Sequence, residues 1–365
     1  MSSMIDNQFK PNYVVPPGEI LEEELESRGM SQAELAQRTG LAKKTINEII
    51  KAKGPITPES ALKFERVFRL PADYWLSLEK NYQEACARLE ERRQLERNSE
   101  WLDKLPIRQM VKFGWVRKFS DKADQLNEIL SFFGIASVEQ WEIVWERLDV
   151  AYRRSPTFDA QKEAISVWLR QGELKAQTIE CLSFDAASFK KTLVEVRELT
   201  KESDPVVFIP KLASLCARSG VAVVFVPELP NTHLSGATRW LSKDKAVIQL
   251  SLRHKSDDHL WFTFFHEAGH ILKHGKKDLF IEEEDGSEDE REKEANEFAS
   301  NTLIPISSFN QFARKGLYSK VAIRNFAKEI GVAPGIVIGQ LQHCGRLPYT
   351  HCNDLKVRFK WAHEK

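Results

Sequence analysis

The chain has 365 residues, 42% of them hydrophobic, and its 53 basic residues are matched by 53 acidic ones. At roughly 100 to 200 residues per domain this length allows two or three cores, and the charge balance excludes a global pull toward nucleic acid or anionic membrane, leaving partner information to local clusters. No apolar run approaches the ~18 residues needed to span a bilayer, and five scattered cysteines (Cys86, Cys181, Cys216, Cys344, Cys352) are not a disulfide framework, so the expectation is a soluble cytoplasmic protein with no membrane partner.

From Pro16 to Tyr82 the punctuation predicts five short helices. Pro16-Pro17-Gly18 opens the first and Gly29 closes it. Ser31 followed by Glu34 reads as a capping box, hydroxyl and carboxylate each satisfying a free N–H at the start of the second helix. Gly40 supplies a turn. The third helix, about Ala42 to Ala52, turns Ile46, Ile49 and Ile50 inward and leaves Lys43, Lys44, Thr45, Asn47 and Lys51 outward. Two short helices across a tight glycine turn, the second with a basic outer face, form a helix-turn-helix that sets the second helix in the DNA major groove. Between Arg38 and Lys53 five basic residues face one acid, Glu48, whereas the first helix is acidic at Glu22, Glu23 and Glu24. Positive charge is concentrated where phosphates would lie.

This stretch resembles the lambda-repressor-like (XRE) helix-turn-helix family, and more closely its HigA-type antitoxin branch. The resemblance is carried by Pro17-Gly18-Glu19-Ile20-Leu21, Gly29 through Ala36, Thr57 through Leu62, and Trp75-Leu76-Ser77-Leu78 with Tyr82. It implies that Gln32 touches a phosphate and that Lys43, Lys44 and Thr45 lie at the base-reading end of the recognition helix. Lysine can pair with guanine and asparagine with adenine, which gives Asn47 a reading role. The resemblance also implies a homodimer on double-stranded operator DNA.

Residues 83 to 103 are a charged helical connector. From there to about Thr200, apolar residues at helical spacing, with Trp101, Trp115, Phe132, Phe133, Trp141, Trp145 and Trp168, predict buried helical core; a partner surface is the functional alternative, and no catalytic constellation occurs.

Val221–Val226, Ala237–Leu241 and Ala246–Leu252 are β-prone runs that predict a small antiparallel sheet. Ser256 then caps a helix with Asp257 and Asp258 in its first turn, suited to the helix dipole. Within it, His266-Glu267-Ala268-Gly269-His270 is an H-E-x-x-H motif. Histidines four apart leave one helix face and can close on a single zinc ion. Glu267 stands ready to take the proton of a water whose pKa zinc lowers from about 15.7 to about 7. His274 is no third ligand, because eight residues of straight helix separate it from His266 by about 12 Å. Of the acids on the next predicted helix, Glu292 follows an inward stripe with Asn296, Ala299 and Leu303, and Asn296 is placed to hydrogen-bond a ligand histidine. Glu290, Glu294 and Glu297, and the preceding run Glu282–Asp289, read as solvated acids. Tyr318, His233, His254 and Arg239 are equal candidates for stabilising an oxyanion.

The segment from Glu292 through Ala295-Asn296 and Phe298-Ala299 to Leu303-Ile304-Pro305, with the H-E-x-x-H helix, looks like the ImmA/IrrE metallopeptidase family over roughly residues 205 to 345. That resemblance implies His266, His270 and Glu292 as zinc ligands and Glu267 as general base. Ile304 replaces the family's methionine before the proline. Further on, Phe326–Val337 echoes Leu35–Ile46, with Pro334-Gly335 in place of the two lysines, which suits packing better than base reading.

The expected architecture is multi-domain and mostly α. It comprises a five-helix lambda-repressor-like helix-turn-helix (1–85), a helical connector or partner region (86–200), a gluzincin-like α+β metallopeptidase domain with a small antiparallel sheet (201–345) and a C-terminal extension (346–365). The function this predicts is a transcriptional regulator with zinc-dependent endopeptidase activity against a specific repressor or partner. The alternative is an antitoxin that represses its own promoter and neutralises a toxin by binding, with the zinc site structural or silent.

Overall fold

The computed structural model describes residues 14–152, 162–275, 280–281 and 290–361. The polar start at Met1–Lys10 and the acidic run Glu282–Asp289 lie outside the described residues. Contacts divide the chain into two compact units, one of residues 1–100 with 119–127, the other of 101–118 with 128–365.

The first unit begins with α1 (Pro17–Ser27), α2 (Gln32–Thr39) and α3 (Lys43–Ile50). Ser31 Oγ accepts the Glu34 N–H at 3.1 Å, and Gly40, at φ 68°, ends α2 in the left-handed conformation a non-glycine residue avoids. The capping box closes in one direction only. The Glu34 carboxylate accepts two hydrogen bonds from the Arg38 guanidinium, at 3.1 and 2.7 Å, because a partner four residues on offers it charge-assisted bonds. Then come α4 (Pro58–Phe68), capped by Thr57, and α5 (Ala72–Arg97). Leu21, Leu35, Ile46, Phe64 and Trp75 are buried together, the Phe64 and Trp75 rings meeting edge-on at 5.4 Å. A Cβ on Gly18 would fall 2.1 Å from the Ile49 carbonyl oxygen, so only glycine lets α1 lie directly on the end of α3. α5 carries straight on through the stretch expected as a connector. Arg92 pairs with Asp121 and Asp124 at 2.8 and 3.2 Å, which ties the 119–127 segment to this unit.

The helical middle continues with α6 (Ile107–Lys112), α7 (Lys122–Phe133), α8 (Val138–Tyr152), α9 (Lys162–Gln177), α10 (Ala186–Leu199) and α11 (Pro205–Ala217). In the second unit Trp101, Phe133, Trp141 and Trp145 form one buried aromatic cluster; Trp115 is half-buried.

The sheet is built from β1 (Val221–Phe225), β2 (Gly236–Ser242), β3 (Lys245–Leu250) and β4 (Phe280–Ile281), in the order β1-β3-β2-β4. It is mixed rather than wholly antiparallel. β2 is antiparallel to β3 and β4, but β1 runs parallel to β3. The tight β2–β3 hairpin reverses the chain once, and the ten-residue loop 226–235 carries it past β3 beforehand, so β1 and β3 point the same way. α9 is held on this sheet by polar bonds: Trp168 Nε1 donates to Val226 O at 3.1 Å, and Gln249 Nε2 to Trp168 O at 2.7 Å.

α12 (Asp257–Lys273) runs through the core, followed by α13 (Glu290–Leu303), α14 (Ile306–Arg314), α15 (Lys320–Ile330) and α16 (Pro334–His343). Ser319 caps α15, and Gly331 at φ 74° turns the chain into α16. The shape echoes α2–α3, but α16 buries Ile336, Val337, Ile338 and Leu341. Arg197 of α10 donates to Thr302 O, Leu303 O and Ile330 O, at 2.7 to 3.1 Å, so one guanidinium satisfies carbonyls at the ends of α13 and α15. The C-terminal extension returns to α12: Asp257 and Val357 exchange two hydrogen bonds of 3.0 Å, and Phe359 packs on Phe208. Asp257 and Asp258, in the first turn as the sequence predicts, are both buried. Ser256 Oγ donates to Asp258 Oδ1 at 2.7 Å and leaves the helix N–H groups alone.

Candidate metal centre and nucleic-acid interface

α12 presents His266 and His270 one turn apart, both 2% exposed or less. Small residues between them bring α13 close: a Cβ on Gly269 would lie 3.3 Å from Ala295 Cα and 3.2 Å from Phe298 Cδ1. Buried Ala295, Ala299 and Leu303 form the packed face of α13, and Glu292, on the same side, reaches the histidines. The three donors converge. His266 Nε2 is 2.9 Å from His270 Nε2 and 3.1 Å from Glu292 Oε2, and His270 Nε2 is 3.5 Å from Glu292 Oε1. Bonds of about 2.0–2.1 Å to a tetrahedral zinc would separate the donors by about 3.3 Å, and these spacings bracket that value. Among the described residues this is the one cluster of three or more histidine, cysteine or acid side chains with metal-holding geometry.

Protonation agrees with such a donor set. Burial holds His270 down at about 4, so the ring is neutral. Burial opposes ionisation of Glu292, but the two histidines beside it outweigh burial and hold its pKa down at about 2. His266 Nδ1 lies 2.9 Å from Asn296 Oδ1, an amide oxygen that can only accept, so the proton is on Nδ1 and Nε2 is a lone pair. Asn296 is exposed as a residue, yet its amide oxygen reaches the ring. Lone pairs of two rings and a carboxylate at such distances repel unless a cation or a proton lies among them.

Glu267 is fully buried and turned toward the sheet. A Cβ on Gly236, at the start of β2, would lie 2.7 Å from Glu267 Oε1 and 2.6 Å from Thr263 Cγ2. Thr238 Oγ1 donates to the Glu267 carbonyl at 3.2 Å. The carboxylate thus occupies a slot that glycine keeps open.

The sequence reading missed His274 and Glu294. His274 Nδ1 lies 2.9 Å from His270 Nδ1, and His274 Nε2 lies 3.2 Å from Glu294 Oε2. The signal was present as a second i,i+4 histidine step beyond His270. Glu294, read as a solvated acid, makes this contact, whereas Glu290 and Glu297 are exposed. Of the oxyanion candidates, Tyr318 donates to Ala313 O, Arg239 to Leu169 O and Glu173, and Arg253 contacts both His233 O and Nδ1. His254 stacks on His259 at 3.9 Å.

In the other unit, Lys43, Lys44 and Lys51 are exposed and Gln32, Thr45 and Asn47 half-exposed, while Ile46 and Ile49 are buried beneath. Ile50, expected inward, is half-buried, and Lys51 stands at the C-cap of α3. Lys44 Nζ lies 3.7 Å from Glu48, so part of its charge is spoken for within the helix.

The family model for the IrrE N-terminal-like domain, Peptidase_M78, matches residues 216–340, and a helix-turn-helix model matches residues 21–75. The chain joins a helix-turn-helix domain to an IrrE N-terminal-like domain. The IrrE-like match spans α12 and α13 whole and begins at Cys216, inside α11. Virulence-associated protein I of Dichelobacter nodosus is 38% identical over 69 residues, 19% of this chain; the chain spans 64% of that curated relative's length. Among solved structures, an addiction module antidote protein of the HigA family from Coxiella burnetii is 27% identical, covering 25% of this chain and 91% of its own, with a TM-score of 0.20. A Pseudomonas aeruginosa protein solved with its operator DNA is 29% identical, covering 24% and 94%, with a TM-score of 0.23. The helix-turn-helix match covers α2 and α3, and the IrrE-like match covers the helices that bear His266, His270 and Glu292. Among the described residues no helix is long and apolar enough to cross a membrane.

Proposed function

We propose that the chain is a cytoplasmic regulator that binds double-stranded operator DNA as a homodimer through α3 and hydrolyses a peptide bond in a specific repressor or partner protein with one Zn2+. The observation that carries the peptidase reading is the convergence of His266 Nε2, His270 Nε2 and a Glu292 oxygen beside a buried Glu267. Zinc held by those three residues would supply Lewis acidity toward the scissile carbonyl and acidify the attacking water. Asn296 holds His266 in the tautomer that keeps Nε2 available. Glu267 accepts the proton of the attacking water and hands it to the leaving amine nitrogen, which needs a carboxylate that is oriented but not a ligand. The slot beside Gly236 and Thr263 gives Glu267 that orientation. Lys43, Lys44, Thr45 and Asn47 would read base edges, Gln32 and Lys51 phosphates.

The experiment is zinc content together with cleavage of captured partners. Proteins retained by the Glu267→Gln chain serve as substrates for wild type and variant. Wild type cutting what Glu267→Gln only holds, at equal zinc content, supports the peptidase. A partner bound tightly by both and cut by neither moves the function to an antitoxin that neutralises by contact, with the zinc site structural.

A further inference from the structure

A histidine that holds a cation through Nε2 must carry its proton on Nδ1 and find an acceptor there. For His266 that acceptor is Asn296 Oδ1. For His270 the neighbour is another imidazole, His274 Nδ1, at 2.9 Å, and a ring nitrogen donates or accepts according to its tautomer. The ambiguity is resolved one bond further out. His274 Nε2 lies 3.2 Å from Glu294 Oε2, and a carboxylate oxygen accepts, so the His274 proton sits on Nε2. His274 Nδ1 is then a lone pair, His270 Nδ1–H donates to it, and His270 Nε2 is left bare toward Glu292 and His266.

We infer that His274, oriented by Glu294, is the positioning residue that fixes the tautomer and ring plane of His270 for zinc binding; this rests on the reading of His266, His270 and Glu292 as the zinc site. His274 is suited to the role because it is 6% exposed and α12 ends at Lys273, so its ring is packed beside His270 at 5.0 Å between centroids. Lys273 Nζ reaches the Glu294 carbonyl at 3.4 Å, a second tie between the end of α12 and the start of α13. α13 therefore serves both histidines twice over: Glu292 as a donor beside them, Asn296 behind His266, and Glu294, through His274, behind His270.

The test compares wild type, His274→Phe, His274→Asn and Glu294→Gln in the full chain. Zinc affinity is read by competition with a chromophoric chelator at about pH 7, and imidazole tautomers by 15N NMR of the zinc-free protein. An asparagine side chain places its Oδ1 where His Nδ1 stood, as Asn296 does for His266, whereas phenylalanine offers no acceptor. The expected result is a zinc affinity lower by about 10- to 100-fold in His274→Phe, within about threefold of wild type in His274→Asn, and between the two in Glu294→Gln. Wild-type His270 should show its proton on Nδ1. Wild-type affinity in a folded His274→Phe, an equal loss in His274→Asn, or His270 protonated on Nε2 would each overturn the positioning role while leaving the zinc site intact. A wild-type chain that takes up no zinc would overturn the site itself.

Discussion

Lys356 Nζ lies 2.6 Å from Asp258 Oδ2, an ion pair with both side chains less than a tenth exposed, joining the C-terminal extension to the first turn of the helix that bears the histidines. Gln342 Oε1 accepts from the same ammonium at 2.8 Å and Ser256 Oγ donates to the same carboxylate, so the pair is hydrogen-bonded on both sides. Burial works against charge on Asp258, but Lys356 and Ser256 hold its pKa below the usual carboxylate value. Removing one partner leaves a buried charge alone. Lys356→Ala should lose about 3–5 kcal/mol in urea unfolding, the range for broken buried pairs; a loss under about 1 kcal/mol would mean that water reaches the pair.

Asp257, its neighbour, predicts a pH effect of opposite character. Burial, with the adjacent Asp258 charge, pushes it up to about 7 from 3.8. The folded chain then keeps a proton that the unfolded chain has released. Its contribution to stability is fully present below about pH 4 and is lost as pH rises through about 7. Asp257→Asn retains an acceptor for the Val357 N–H and cannot ionise, so between about pH 5 and 8 its melting temperature should fall less than that of wild type. Parallel melting curves across that window would show that Asp257 is not the group responsible.

The slot beside Glu267 predicts a separation of binding from chemistry. Gly236→Ala sets a methyl 2.7 Å from Glu267 Oε1, displacing the carboxylate without touching a zinc donor. Cleavage of an identified partner should fall by about 10²-fold, the cost of a misplacement near 1 Å, with zinc content unchanged. Loss of zinc in proportion to activity would show that the slot shapes the donors instead.

On DNA, Lys43→Ala with Lys44→Ala should weaken binding to a selected operator more than to unrelated sequence, whereas Lys51→Ala should weaken both and flatten the dependence of log affinity on log salt by about 0.9 for the phosphate that is no longer neutralised. An equal loss on operator and unrelated DNA in the Lys43→Ala, Lys44→Ala variant would assign those lysines to phosphates instead. Gln32→Ala, if it acts at a phosphate, should weaken all sequences alike.

The helix-turn-helix was legible because its signals are local: Ser31, Gly40, Thr57 and the isoleucine spacing of α3 each act within a few residues. His266 and His270 were legible for the same reason, and Glu292 because the stripe it shares with Ala299 and Leu303 is periodic. What stayed hidden depends on tertiary contacts. Nothing near Val221 says that β1 will lie parallel to β3, since that follows from where the 226–235 loop crosses. The burial of Asp257 and Asp258 is not legible at the helix start, because the chain that covers them arrives about a hundred residues later, at Lys356 and Val357. Glu294 read as solvated because only the approach of α12 brings it to His274.

Arg197 gives the centre a remote adjustment point. Its guanidinium grips the last carbonyls of α13, about eleven residues and therefore about 16 Å along the helix axis from Glu292, and the end of α15 with the same fork. A lysine there would offer one ammonium in place of the planar fork and would hold the two helix ends in a less fixed geometry. A shift or tilt of α13 would carry Glu292, toward its other end, with it. Variation at a residue that touches neither the histidines nor Glu292 would therefore alter the spacing of the three donors from a distance.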